Sequence, residues 1–160
     1  MRAGLQKALD NTETMYAQLV EIANEIVEEH TKDINIIIKS TTTAVQAENL
    51  SNDAIRQLIL TLALKAYSFS EIKEKASLKA QCAEALRKEK YATEFIAAEG
   101  SMATKDSLAT TNTSDEVLAE TIYDLVASLF KTKQAELHSV IDALKTVLTT
   151  RLSEAKLAAE

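Results

Sequence analysis

The chain contains no proline and only two glycines, Gly4 and Gly100, in 160 residues. Average usage would supply about eight prolines and eleven glycines, and these residues are the strongest interrupters of regular structure. Their scarcity excludes a turn-rich architecture and leaves long helices with one clear break, at Gly100-Ser101. Tryptophan is absent and aromatic residues make up 4%, so close packing of helices rather than a bulky core is expected. A single cysteine, Cys82, excludes an intramolecular disulfide and fits a reducing compartment; it reads as a small apolar residue on a helix face. No apolar run approaches the ~18 residues of a membrane span. No apolar stretch follows Met1-Arg2-Ala3-Gly4, so a signal peptide is not expected either. The expected location is the cytoplasm.

Charge is also thin on one side. Residues 1–50 carry four Lys or Arg against eight Asp or Glu, residues 51–100 eight against seven, and residues 101–160 six against nine, for a net charge of −6. No basic tract exists, so a large counterion-release drive onto nucleic acid is not expected. Two isolated glycines also rule out a glycine-rich phosphate loop.

What is present is helical periodicity. Leu5, Leu9, Thr12, Tyr16, Leu19, Ala23, Ile26 and His30 follow at alternating steps of four and three, the 3.5-residue period of a coiled-coil seam. Glu21, Glu25, Glu28 and Glu29 occupy the opposite, solvent-facing side. Ile34, Ile36, Ile37 and Ile38 followed by Ser40-Thr41-Thr42-Thr43 have the β-branched character of a short strand, but Ile34, Ile37/Ile38, Thr41 and Val45 keep helical spacing and favour continuation of the helix. A turn follows at residues 49–53, with Ser51 or Asn52 as N-cap.

A second helix is expected over residues 53–99, with Ile55, Leu58, Ile59, Leu62 and Ala66 on one face and Phe69 and Ile72 extending it. Its later half alternates Ala76, Ala80, Ala83 and Ala92 with charges, a pattern that allows close helix approach flanked by i,i+4 pairs. Unbroken, it would span roughly 70 Å at 1.5 Å per residue. Gly100-Ser101 ends it as a C-cap glycine would, and the Ser-, Thr- and Asn-rich stretch 107–114 reads as loop, so a turn is placed over 100–114. Thr113-Ser-Asp-Glu116 reads as a capping box. It opens a last helix over 115–157, with Leu118, Ile122, Leu125, Leu129, Leu137, Val140, Leu144, Leu148 and Leu152 on its seam. The expected fold is therefore all-α: one domain over residues 1–160, an elongated antiparallel bundle or coiled coil of three or four long helices.

No catalytic constellation emerges. His30 and His138 lack a second His or Cys at i+3 or i+4, so a metal site is not expected. Glu-x-x-His pairs, which a di-iron bundle needs, do not occur. His30 on the seam reads as a polar residue that tunes register, and His138 as a flank residue. The one basic concentration, Lys73, Lys75, Lys79, Arg87, Lys88 and Lys90, is interleaved with Glu71, Glu74, Glu84 and Glu89. A solvated, salt-bridged face is the first reading of this stretch. The alternative is a docking face for an acidic partner or single-stranded nucleic acid, with Tyr67, Phe69 and Tyr91 as stacking groups.

The stretch Lys90-Tyr-Ala-Thr-Glu-Phe-Ile-Ala-Ala-Glu-Gly-Ser-Met-Ala-Thr-Lys-Asp-Ser-Leu-Ala and the closing helix through Val140-Ile-Asp-Ala-Leu-Lys-Thr-Val-Leu-Thr-Thr-Arg-Leu-Ser-Glu resemble small helical coiled-coil proteins of tailed bacteriophages. The resemblance covers about residues 76–157. Genes of such proteins tend to lie near genes for recombination and single-strand DNA binding. Together with the absence of a catalytic constellation, it implies a non-catalytic interaction protein whose partner belongs to DNA recombination or replication, and no cofactor is expected. It carries over no functional residues. An acidic inhibitor of a host nucleic-acid enzyme and a purely structural coiled-coil protein are the alternatives. Narrow seams on long helices further imply a homo-oligomer, dimer or tetramer.

Overall fold

A computed structural model of the chain describes residues 2–46 and 50–159, with the side chains of residues 2–5, 8 and 46 outside that description. Among these described residues four helices follow in order: α1 (Arg2–Gln46), α2 (Asn52–Ala97), α3 (Met102–Asn112) and α4 (Ser114–Leu157). No strand occurs among the described residues. The fold is all-α, a helical bundle. Residues 34–43 lie within α1. Three of their four hydroxyls are satisfied on the helix itself, Ser40 donating to the Ile37 carbonyl, Thr42 to Ile38 and Thr43 to Lys39, so β-branched character yields to helical spacing.

The helix ends follow local backbone chemistry. Ser51 Oγ accepts the Ala54 amide at 3.2 Å and so caps α2. Gly100 adopts φ 110°, a backbone conformation open to glycine and strained for other residues, and lets the chain leave α2. Ser101 then caps α3 by accepting the Thr104 amide.

The polar stretch expected as a turn over 100–114 is instead largely the helix α3. Thr111 and Thr113 turn their hydroxyls back onto the carbonyls of Ser107 and Ala109, so the segment's polar side chains join the helix rather than compete with it. Ala109 is fully buried and anchors the helix. The capping box also fails to form as read. The Thr113 hydroxyl donates to α3 carbonyls, and Glu116 reaches to Lys90 of α2.

The chain divides into two compact units, each built from parts of several helices. The unit of residues 28–73 and 130–160 is a three-helix assembly with large side chains inside. Thr31, Ile34 and Thr41 of α1, Ile55, Leu62, Ala66 and Phe69 of α2, and Phe130, Leu137, Ile141 and Leu144 of α4 are buried. The rows on α2 and α4 share the spacing seven, four, three, which keeps one seam inward over several turns. Phe69 meets Phe130 edge-on at 5.4 Å between ring centroids, a favourable quadrupole arrangement. Gln134 donates to Ser70 at 2.9 Å, and Arg151 binds the Leu50 carbonyl, so α2 and α4 run antiparallel here.

The unit of residues 1–27 and 74–129 has a different interior. Its buried residues are Ala23, Val27, Ala76, Ala80, Ala83, Ala109, Thr113 and Val126, mostly small. Polar ties cross between its helices. Arg87 binds Glu120, Lys90 binds Glu116 at 2.7 Å, Tyr91 donates to Asp106, and Asn112 donates to Glu94 at 2.6 Å. Large apolar side chains remain outside, among them Leu9, Tyr16, Leu78, Leu86 and Ile96.

Candidate functional site

The basic stretch of α2 is engaged within its own chain. Arg87 and Lys90 pair with Glu120 and Glu116 of α4, and Lys88 with Glu84 one turn earlier. Lys79 places its ammonium 5.9 Å from the centroid of the Tyr123 ring, within cation–π range. Lys73 and Lys75 also interact within the chain. The salt-bridged face is the reading this arrangement favours. Hydrogen bonding sets the local titration. Lys88 holds the Glu84 carboxyl below its ordinary range, and Lys90 does the same for Glu116. Glu116 in turn raises the Lys90 ammonium, and Asp106 raises the Tyr91 phenol by accepting its proton in a hydrogen bond.

The three aromatic residues offered as stacking groups are not equivalent. Phe69 is 1% exposed, in the core, and unavailable for stacking; its place opposite Phe130 explains why. Tyr91 is half-buried, stacked on Phe95 with centroids 6.1 Å apart. Tyr67 is 83% exposed.

The seam residues fall at several depths. Ala23, Leu137 and Leu144 are buried, whereas Leu19, Ile26, Leu118, Ile122, Leu125, Leu129, Val140 and Leu148 are half-buried. Leu9, Tyr16 and Leu152 are exposed, and Leu5 lies outside the described side chains. Past Ala23 the deepest row of α1 runs through Val27 and Thr31, one residue beyond Ile26 and His30. A straight helix at 3.6 residues per turn drifts in this way from a strict 3.5-residue repeat. His30 is therefore exposed beside the Phe130 ring, at 5.9 Å, and His138 is exposed as well. Among the described residues no group of three His, Cys, Asp or Glu could hold a metal ion, and no helix is long and apolar enough to cross a membrane.

Clefts lie beside these features, two of them almost wholly apolar. One, of about 140 Å³, lies between α1 and α4 in the unit of residues 28–73 and 130–160, against Thr41, Val45, Val140, Leu144 and Val147; the buried Thr41 hydroxyl has no hydrogen-bond partner. The other is a groove of about 370 Å³ in the unit of residues 1–27 and 74–129. Leu78, Lys79, Cys82, Ala83 and Leu86 of α2 form one wall, and Glu116, Ala119 and Tyr123 of α4 the other. Alanine at 83 and 119 leaves the space; leucine at 78 and 86 makes its rim apolar. Sequence reasoning placed Ala83 on a packing seam but did not single out Ala119, Leu78 or Leu86. The spacing of the two leucines around Cys82, at i−4 and i+4, is the signal that could have found them.

No family model, curated protein or solved structure matches the chain.

Proposed function

We propose that this chain is a non-catalytic helical interaction protein that self-associates and serves as an accessory factor to a protein of DNA recombination or replication. One observation carries the interaction reading: in the unit of residues 1–27 and 74–129, large apolar side chains stand outside while mostly small ones fill the spaces between the helices. Leu78 and Leu86 are 58% and 61% exposed, Ile96 79%, and Leu9 and Tyr16 more than half exposed. Leu78 and Leu86 line one groove, and an apolar surface left open in this way suits association. The recombination link rests on the resemblance of residues 76–157 to phage coiled-coil proteins.

Two measurements test the reading. Light scattering on a sizing column, over a hundredfold range of concentration, reads the mass; a dimer or tetramer is expected, and a monomer throughout contradicts self-association. Mobility shift reads the partner class. A shift with single-stranded DNA coated by a single-strand DNA-binding protein, and none with bare DNA, is expected. Equal shifts on both would replace a protein partner with nucleic acid.

A second reading, an acidic inhibitor that occupies the basic DNA channel of a nuclease, draws on the net charge of −6. Protection of DNA from nuclease digestion at low salt, lost as salt rises, would favour it.

A further inference from the structure

On the outer face of α2, Cys82 is flanked at equal distances by like apolar residues and by opposite charges. Leu78 and Leu86 stand four residues before and after it, and Lys75 and Glu89 seven residues before and after. With 3.6 residues per turn, all five positions fall within about 40° of one line along the helix. All five are exposed. Leu78, Cys82 and Leu86 also form a wall of the groove floored by Ala83 and closed by Ala119 and Tyr123.

We propose that this face binds a second copy of the chain, with the two α2 helices antiparallel and the two-fold axis passing beside Cys82. The proposal rests on the self-association reading above and adds the face, the direction and the register. In such a pair, a residue any number of positions before Cys82 faces the residue the same number after it in the other copy. Leucine then meets leucine at 78 and 86, the two Cys82 side chains meet at the axis, and Lys75 meets Glu89 twice over.

Charge selects this arrangement. A parallel, in-register pair would set Lys75 against Lys75 and Glu89 against Glu89, and like charges at facing positions disfavour a helix pair. Two-fold symmetry requires that if one position contacts another, the second contacts the first; a charge pattern of opposite sign at equal distances from one residue meets that requirement without further adjustment. Lys75, though engaged within its own chain as well, keeps its charge on this face. The remaining charged groups at the groove belong to the chain's own ties: Lys79 lies over the Tyr123 ring, and Glu116 is bound by Lys90. The groove offers a hole between α2 and α4 for a leucine of the other copy, as knobs-into-holes packing requires.

Cys82 makes the test direct, because it is the sole cysteine and would sit at the axis. Oxidation of the full chain by copper–phenanthroline in air removes two electrons and two protons from a pair of thiols and joins them as a disulfide. Rapid formation of a covalent dimer is expected. Lys75→Glu alone sets carboxylate against carboxylate at both contacts, and Glu89→Lys alone sets ammonium against ammonium. Each single variant is expected to slow cross-linking about tenfold. The double variant K75E/E89K restores the rate. An equal mixture of the two single variants restores it between unlike copies, which are distinguishable by mass. Helicity by circular dichroism, read in parallel, should stay unchanged because both positions are exposed. Equal cross-linking rates in all variants would overturn the proposal, since chance collision of exposed thiols ignores these charges. So would failure of Cys82 to cross-link. The mass of the unoxidised chain separates the two levels: a dimer with charge-insensitive cross-linking overturns this face and leaves self-association standing, whereas a monomer overturns both.

Discussion

The two compact units of this chain draw on the same three long helices and hold together by different means. In the unit of residues 28–73 and 130–160, large side chains interlock, with Phe69, Phe130, Leu62, Leu137 and Leu144 nearly inaccessible to solvent. In the unit of residues 1–27 and 74–129, Ala76, Ala80 and Ala83 give α2 a narrow inner row, and ion pairs such as Arg87 with Glu120 and Lys90 with Glu116 reach across to α4. The first arrangement uses apolar mass for stability. The second fully buries mostly small side chains and leaves Leu78 and Leu86 outside. The lesson is that periodic apolar residues have two uses along one helix. Where the inward residues are large they interlock, and where they are small ion pairs tie the helices; leucines stand exposed in both units, Leu60 and Leu64 in the first and Leu78 and Leu86 in the second.

The largest effect is expected in the large-side-chain unit. Phe130→Ala removes the ring that meets both Phe69 and His30 and is expected to cost about 3–5 kcal/mol, read by urea denaturation. A loss below about 1 kcal/mol would mean that this core is not closely packed. In the alanine-lined unit the sharper change is the reverse one. Ala76→Leu is expected to destabilise by about 1–3 kcal/mol through overpacking. If the variant were more stable than the parent, the small row would mark underfilled space rather than close helix approach.

Gly100→Ala ranks next. Gly100 has φ 110°, and an added Cβ would meet Thr104 at 3.3 Å; a loss of about 1–2 kcal/mol is expected in thermal unfolding. The smallest effect concerns the Lys90–Glu116 tie. Glu116 titrates below its unfolded range because Lys90 hydrogen-bonds it. Its stabilisation is therefore complete above the ordinary carboxylate pKa of about 4.3 and disappears as pH falls through the folded value. Lys90 titrates above its ordinary range for the same reason, so its share is complete below about pH 10.4 and lost on further alkalinisation. Glu116→Gln should flatten both limbs of the stability profile. An unchanged acid limb would show that this pair does not contribute to it.

How far these features were legible in the sequence follows from how local their causes are. The helices, the break at Gly100 and the Ser51 cap depend on backbone preferences within a few residues, and their positions could be read directly. Residues 34–43 were decided by spacing, since a helical period serves three packed helices and a lone strand would have no partner. The segment 100–114 was misread because Ser, Thr and Asn favour loops only until their hydroxyls find carbonyls one turn back, as Thr111 and Thr113 do. Glu116 likewise fits the local capping pattern, yet Lys90, distant in sequence, takes it. The interhelical pairing of Arg87 and Lys90 and the depth of each seam residue depend on which helix lies opposite, and sequence periodicity carries no such information. The groove beside Cys82 was missed for the same reason: its second wall, Ala119 and Tyr123, comes from another helix.

The central claim is that this chain leaves an apolar face for association rather than satisfying its surface alone. The most direct measurement is its absolute mass in solution by light scattering across a hundredfold range of concentration. A mass at or approaching twice that of the 17.5 kDa chain, or a higher multiple, is expected. A mass of one chain at every concentration would contradict the account.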